Sequence, residues 1–131
     1  MPAVEMITWL YVSDLDRSRD LYARGFDLTL LLDQGDCLLL GTADGAYLGL
    51  CLRPPPTDTP GLLLCFIVDN VEKRTARLVE LGATLEKDPQ HNAKYGIVHS
   101  FLRDHDGHRI EIQRFDDPQW KEPLVEPAES P

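Results

Sequence analysis

The residue most able to do chemistry is Glu111. It lies in the run Arg109-Ile110-Glu111-Ile112-Gln113, where polar and aliphatic side chains alternate. Alternation with a period of two makes a strand with one apolar and one polar face. A carboxylate on that polar face can meet solvent, pair with Arg53 or Arg109, accept a hydrogen bond from a ligand, bind a metal or serve as a general base. Histidine is the next resource. His99 alternates with Phe101, so both fall on one strand face, whereas His105 and His108 belong to a turn and His91 to a polar stretch. None has a second metal-ligating residue at a recognisable spacing, and imidazoles that are hydrogen-bonded or solvated are expected. Cys37, Cys51 and Cys65 sit in apolar runs without a CxxC pair, which points to reduced, half-buried thiols and not to a disulfide framework or a zinc site. Neither Cys51 nor Cys65 has an identifiable base. No Gly-rich phosphate loop, nucleophile elbow or catalytic triad pattern is present.

The elements that position these residues follow in order. Glu5–Val12 is a strand with Ile7, Trp9 and Tyr11 on one face and Thr8, Leu10 and Val12 on the other. Ser13 has the chemistry of a helix N-cap, Leu15, Ser18, Leu21 and Tyr22 recur at helical spacing, and Gly25 supplies a stop. Leu28–Leu32, Cys37–Gly41 and Tyr47–Arg53 read as strands separated by Gly35 and Gly45 turns, with Tyr47, Gly49, Cys51 and Arg53 sharing a face. Residues 54–61, rich in proline, cannot enter a sheet interior and form a stiff linker. Leu62–Val68 is a strand, with Leu63, Cys65 and Ile67 on one face. Asn70 caps a second helix carrying Val71, Thr75, Leu78 and Leu81 and ending at Gly82. A short strand at Thr84–Glu86, a polar loop at Asp88–Lys94 and a hairpin turning at Asp104-His105-Asp106-Gly107 complete the order.

The halves echo each other: Val12-Ser13-Asp14-Leu15-Asp16-Arg17 aligns with Val68-Asp69-Asn70-Val71-Glu72-Lys73. The sequence therefore predicts an α+β protein of two tandem βαβββ modules, each a curved mixed sheet with a helix on one face. The modules span 1–53 and 62–115 and form one domain at 1–115; residues 116–131 make an acidic, Pro-rich tail that Trp120 could dock. With 131 residues and 43% hydrophobic content the chain can build one cooperative core. A formal net charge of −9 argues against a nucleic-acid partner. No long apolar run or leader-like segment is seen, so a cytoplasmic protein without a membrane partner is expected.

Three stretches, Val12–Phe26, Phe66–Ala83 and Phe101–Ile112, give the chain a resemblance to the vicinal oxygen chelate superfamily of glyoxalases, bleomycin-resistance proteins and dioxygenases. The last stretch resembles that family's DPDG-x-x-x-E ending, with His105 where proline is usual. The resemblance implies a cleft on the helix-free sheet faces. In metal-using members the cleft carries His or Gln on the first strand, Glu on the fourth, His on the fifth and Glu on the eighth. Counted from the matched motifs, those positions fall on Ile7, on or next to Gly49, on Leu63 and on Glu111. Only the last can ligate, so the resemblance is to the metal-free, antibiotic-sequestering branch, with no metal and no cofactor expected. The implied ligand site is Ile7, Trp9, Tyr11, Tyr47, Gly49, Arg53, Leu63, His99, Phe101 and Glu111, binding a partly aromatic, neutral or cationic compound in a homodimer. The alternative is a lyase, isomerase or dioxygenase that uses Glu111 as ligand or base; a third reading is a module that packs these aromatics and binds no small molecule.

Overall fold

In the computed structural model, residues 3, 5–57 and 61–116 are described. The tail beyond Asp116, with Trp120, and the middle of the Pro-rich linker lie outside the described residues. The element order is β1 (Ile7–Val12), α1 (Leu15–Phe26), β2 (Thr29–Asp33), β3 (Cys37–Gly41), β4 (Tyr47–Leu52), then β5 (Leu64–Ile67), α2 (Val71–Glu80), β6 (Thr84–Asn92), β7 (Ile97–Arg103) and β8 (Arg109–Phe115). Each half is a four-stranded sheet, ordered β1-β4-β3-β2 and β5-β8-β7-β6. In each, the first and last strands run parallel and the remaining pairings are antiparallel. The duplicated βαβββ architecture read from the sequence is present.

Strand alternation decides what each sheet face does. Leu10, Val12, Leu40, Leu48 and Leu50 of module 1, and Leu102, Ile110 and Ile112 of module 2, are buried in a single core with Leu21, Tyr22 and Phe26 of α1 and Val71 and Leu78 of α2. The intervening residues point away from the helices and make the open faces. The two helices pack together across the module boundary. Gly25 is the contact point: a Cβ there would stand 2.9 Å from a methyl of Leu78. Gly25 therefore does not end α1, as its helix-stop chemistry suggested. It is buried within the helix, and Asp27, left-handed at φ 55°, ends it. Phe26 stacks on Phe66 of module 2 with centroids 3.8 Å apart, and Arg74 donates to Gly25 O and Asp27 Oδ2.

Three further expectations are corrected. Asp14, not Ser13, caps α1 by accepting from Arg17 N; Ser13 is drawn off to Asp106. β6 runs through Thr84–Asn92, absorbing the expected polar loop; pairing to β7 with irregularities at Leu85/Lys87 and Lys87/Gln90 lets polar and proline residues stand on this edge. Cys37 and Cys51 form a disulfide, where reduced thiols were expected. They lie directly opposite one another in the β3–β4 register with Cα atoms 4.2 Å apart, which is disulfide reach. Sequence spacing concealed this because the partners come from two strands of a hairpin. Disulfides are uncommon in a reducing cytoplasm, so this pair weighs against the cytoplasmic expectation. No helix among the described residues is long and apolar enough to cross a membrane.

Candidate functional site

The open faces are built from cross-strand ranks. In module 1 one rank is Trp9–Gly49–Leu39 and the next Tyr11–Cys51–Cys37. In module 2 the matching ranks are Cys65–Glu111–Phe101–Lys87 and Ile67–Gln113–His99–Gln90. Gly49 and Glu111 thus occupy corresponding places, each beside the parallel first strand of its sheet.

In module 1 the absence of a side chain at Gly49 is filled by Trp9. A Cβ built on Gly49 would fall 2.1 Å from the indole, so the ring lies flat on the glycine backbone. Trp9 remains 43% exposed and Tyr11 49%, with Ile7 exposed beside them. Tyr47 reaches along the face to donate its hydroxyl to Glu5. The disulfide closes the far side. Arg53 lies beyond the end of β4 and pairs with Asp36 at 3.2 Å, so it stands at the rim of the face and leaves Glu111 alone.

In module 2 the centre is polar. Glu111 is only 8% exposed, and its Oε2 accepts from His99 Nδ1 at 2.7 Å. Glu111 pairs with neither Arg53 nor Arg109; Arg109 lies 3.9 Å from Glu86. A carboxylate on Nδ1 fixes the ring and leaves Nε2 as the imidazole atom not engaged by Glu111. His99 meets Phe101 edge-on at 4.9 Å. Cys65 is exposed as a residue, yet its sulfur lies against Gln113 at 3.5 Å. Burial first and the Glu111 carboxylate second push the thiol up to about 12. It is therefore a thiol near neutral pH and no nucleophile. Leu63 lies one residue before β5, exposed beside this polar patch. Its position and those of Ile7 and Gly49 offer no donor, and the carboxylate of Glu111 is already held by His99. The residues present do not fit the divalent-metal ligand set that the fold family implies, and among the described residues no group of three or more His, Cys, Asp or Glu could hold a metal ion.

Of the other histidines, His91 is exposed on β6 at 3.6 Å from Asp116, while His108 belongs to a second polar cluster. Asp104 Oδ2 accepts from the Tyr22 hydroxyl at 2.6 Å and from His108 Nδ1 at 2.8 Å, while its Oδ1 takes the backbone N–H groups of Asp106 and His108. Asp106 accepts from Ser13 Oγ at 2.6 Å. The β7–β8 turn is thus bolted to the start of α1 in the other module. Burial favours a neutral Asp104, but the bonds from His108 and Tyr22 outweigh it and hold its carboxyl below the ordinary value. The hydrogen bond to Asp104 raises His108 against the opposing effect of burial. His105 rests on Gly82, whose φ is +110°. The signal for this cluster was in the sequence, as Tyr22 at a buried helical position and Asp104 in the turn, but nothing in the chain order says that they meet.

Residues 4–112 match the glyoxalase/bleomycin resistance protein/dioxygenase superfamily. The chain belongs to that superfamily. Several solved structures superpose over most of its length. A glyoxalase-related enzyme from Fulvimarina pelagi gives a TM-score of 0.73 at 21% identity, covering 87% of this chain and 88% of that one. TioX from Micromonospora sp. ML1 gives 0.68 at 24% identity, with 86% and 98% covered. The fosfomycin resistance protein FosX from Mesorhizobium loti gives 0.70 at 16%, with 87% and 92% covered. At these identities the likeness is one of fold. No curated protein matches the sequence.

Proposed function

We propose that this superfamily member is a metal-free small-molecule-binding protein whose module 1 face takes a partly aromatic, neutral or cationic compound, in the manner of sequestration. The observation that carries the reading is Trp9 lying flat on Gly49 with its other side half-exposed beside Tyr11. A glycine-backed indole is a rigid platform, and stacking on it contributes roughly 0.5–1.5 kcal/mol beyond area burial. The charged side chain bonded on this face is the carboxylate of Glu5, held by Tyr47, which suits a neutral or positive ligand.

The test uses a planar aromatic cation such as proflavine, titrated against the wild type, Trp9→Ala and Glu111→Gln, with denaturant midpoints measured in parallel. Trp9→Ala should weaken binding roughly two- to tenfold, the equivalent of that stacking energy, while the folded state survives. Unchanged affinity with a large loss of stability would mean that Trp9 is packing alone. A second reading, a lyase or isomerase, is favoured by the 2.7 Å His99–Glu111 pair, since a carboxylate-oriented imidazole is the usual form of a general base.

The binding unit proposed is a homodimer. Leu63 and Ile67 on and beside β5 are exposed, and β1 and β5 are unpaired sheet edges. Edges and apolar faces of this kind are covered by a partner in stable proteins. Light scattering at micromolar concentration should give twice the chain mass of 14.8 kDa; a monomer mass would remove this part of the proposal.

A further inference from the structure

The outer half of the module 2 face holds a recess of about 380 Å³, lined by Lys87, Gln90, His91, Asn92, His99 and Phe101. We propose that this recess is a binding subsite for a carboxylate carried on a flat apolar group. It does not rest on the module 1 face, which contributes none of these residues.

The side chains converge because of register. Lys87 stands opposite Phe101, and Gln90 opposite His99, across the β6–β7 pairing. The Lys87 ammonium sits 5.9 Å from the centroid of the Phe101 ring, and His99 meets the same ring edge-on. A charge held over an aromatic face is oriented but not neutralised. Three carboxylates lie nearby, each already partnered: Glu86 by Arg103 at 3.2 Å, Glu111 by His99 at 2.7 Å, and Asp116 by Arg114 at 3.1 Å and His91 at 3.6 Å. Among the described residues Lys87 makes no ion pair. The recess therefore joins one uncompensated cation, an imidazole pinned by a buried acid, two carboxamides and an aromatic wall. That set matches an anion whose oxygens accept from the ammonium and amides while its apolar part lies on Phe101. His99, held through Nδ1 by Glu111, serves as a fixed wall of the recess beside Phe101. The chain as a whole is acidic, so the Lys87 ammonium, which has no ion-pair partner among the described residues, is what would select an anion.

Benzoate is the probe, with benzamide and benzylamine as neutral and cationic counterparts of the same shape. Binding is followed by NMR shifts of His99 and Phe101 and by calorimetry. Benzoate should perturb both residues and bind at least tenfold more tightly than either counterpart. Lys87→Met, which keeps the aliphatic stem on an exposed strand position, should weaken benzoate at least tenfold with an unchanged denaturant midpoint. Phe101→Leu should weaken all three probes together. Trp9→Ala should leave benzoate affinity within twofold, so failure here is separable from failure of the aromatic platform. Equal affinity for benzoate and benzamide, no effect of Lys87→Met, or shifts confined to Trp9 and Tyr11 would each overturn the proposal.

Discussion

The two open faces share one backbone plan and carry opposite chemistry. Gly49 and Glu111 occupy the same place beside the parallel edge strand, Leu39 answers to Phe101, and the Cys37–Cys51 pair stands where His99 and Gln113 stand. In module 1 the vacancy at glycine is roofed by Trp9, and the neighbouring rank is cross-linked. In module 2 the carboxylate is retained, buried and tied to an imidazole. Register fixes which residues meet, while the side chains at those meeting points decide whether a face becomes an aromatic platform or a polar recess. The same divergence holds in the turns. The β3–β4 turn closes locally through Thr42 and Ala46, whereas the β7–β8 turn reaches across to Tyr22 and Ser13.

The contrast between the turns predicts the largest effect. Asp104→Ala leaves Tyr22 and His108 without their shared acceptor in a buried site, and should cost about 3–5 kcal/mol. Asp44→Ala, in the exposed counterpart turn, should stay within about 0.5 kcal/mol. Denaturant midpoints of the two variants measure the difference directly, and similar losses would dissolve the distinction. The Asp104 cluster should also shape the pH profile. His108 is raised in the folded state, so its contribution is fully present below the ordinary imidazole value of about 6.5 and is lost as pH rises through the folded value. Asp104 is lowered, so its contribution is present above about 3.9 and is lost as pH falls through the folded value. Stability from this cluster is therefore greatest between those limits. His108→Asn should flatten the neutral-to-alkaline side of the profile; an unchanged slope there would show that the pair does not titrate with folding.

A smaller effect sharpens the comparison of the faces. Gly49→Ala places a methyl where the indole lies, and should cost roughly 1–3 kcal/mol by overpacking unless Trp9 swings outward. Either way Trp9 emission should move to the red as the ring leaves its glycine seat. An unmoved spectrum with wild-type stability would mean that the glycine is not the seat of the platform.

Much of the fold was legible because alternation, helical spacing and turn chemistry are local. Ile110 and Ile112 against Glu111, Asn70 as a cap and Gly107 in a turn needed no tertiary knowledge, and the repeat of Val12-Ser13-Asp14 in Val68-Asp69-Asn70 disclosed the duplication. Alternation grouped Ile7, Trp9 and Tyr11, Tyr47 and Gly49, and His99 and Phe101 on shared strand faces, and the family resemblance implied that these faces, with Leu63 and Glu111, turn to the cleft. Pairing between elements decided the rest, because a strand's sequence does not state its neighbour or its register. Only the β7–β8 register brought His99 to Glu111, only the β3–β4 register closed Cys37 on Cys51, and only the docking of module 2 on α1 took Ser13 from its cap and joined Tyr22 to Asp104 and His108. Composition determined that these polar groups exist; burial in the fold determined which of them had to find one another, since an unpaired polar group in a core costs more than the bond it forms returns.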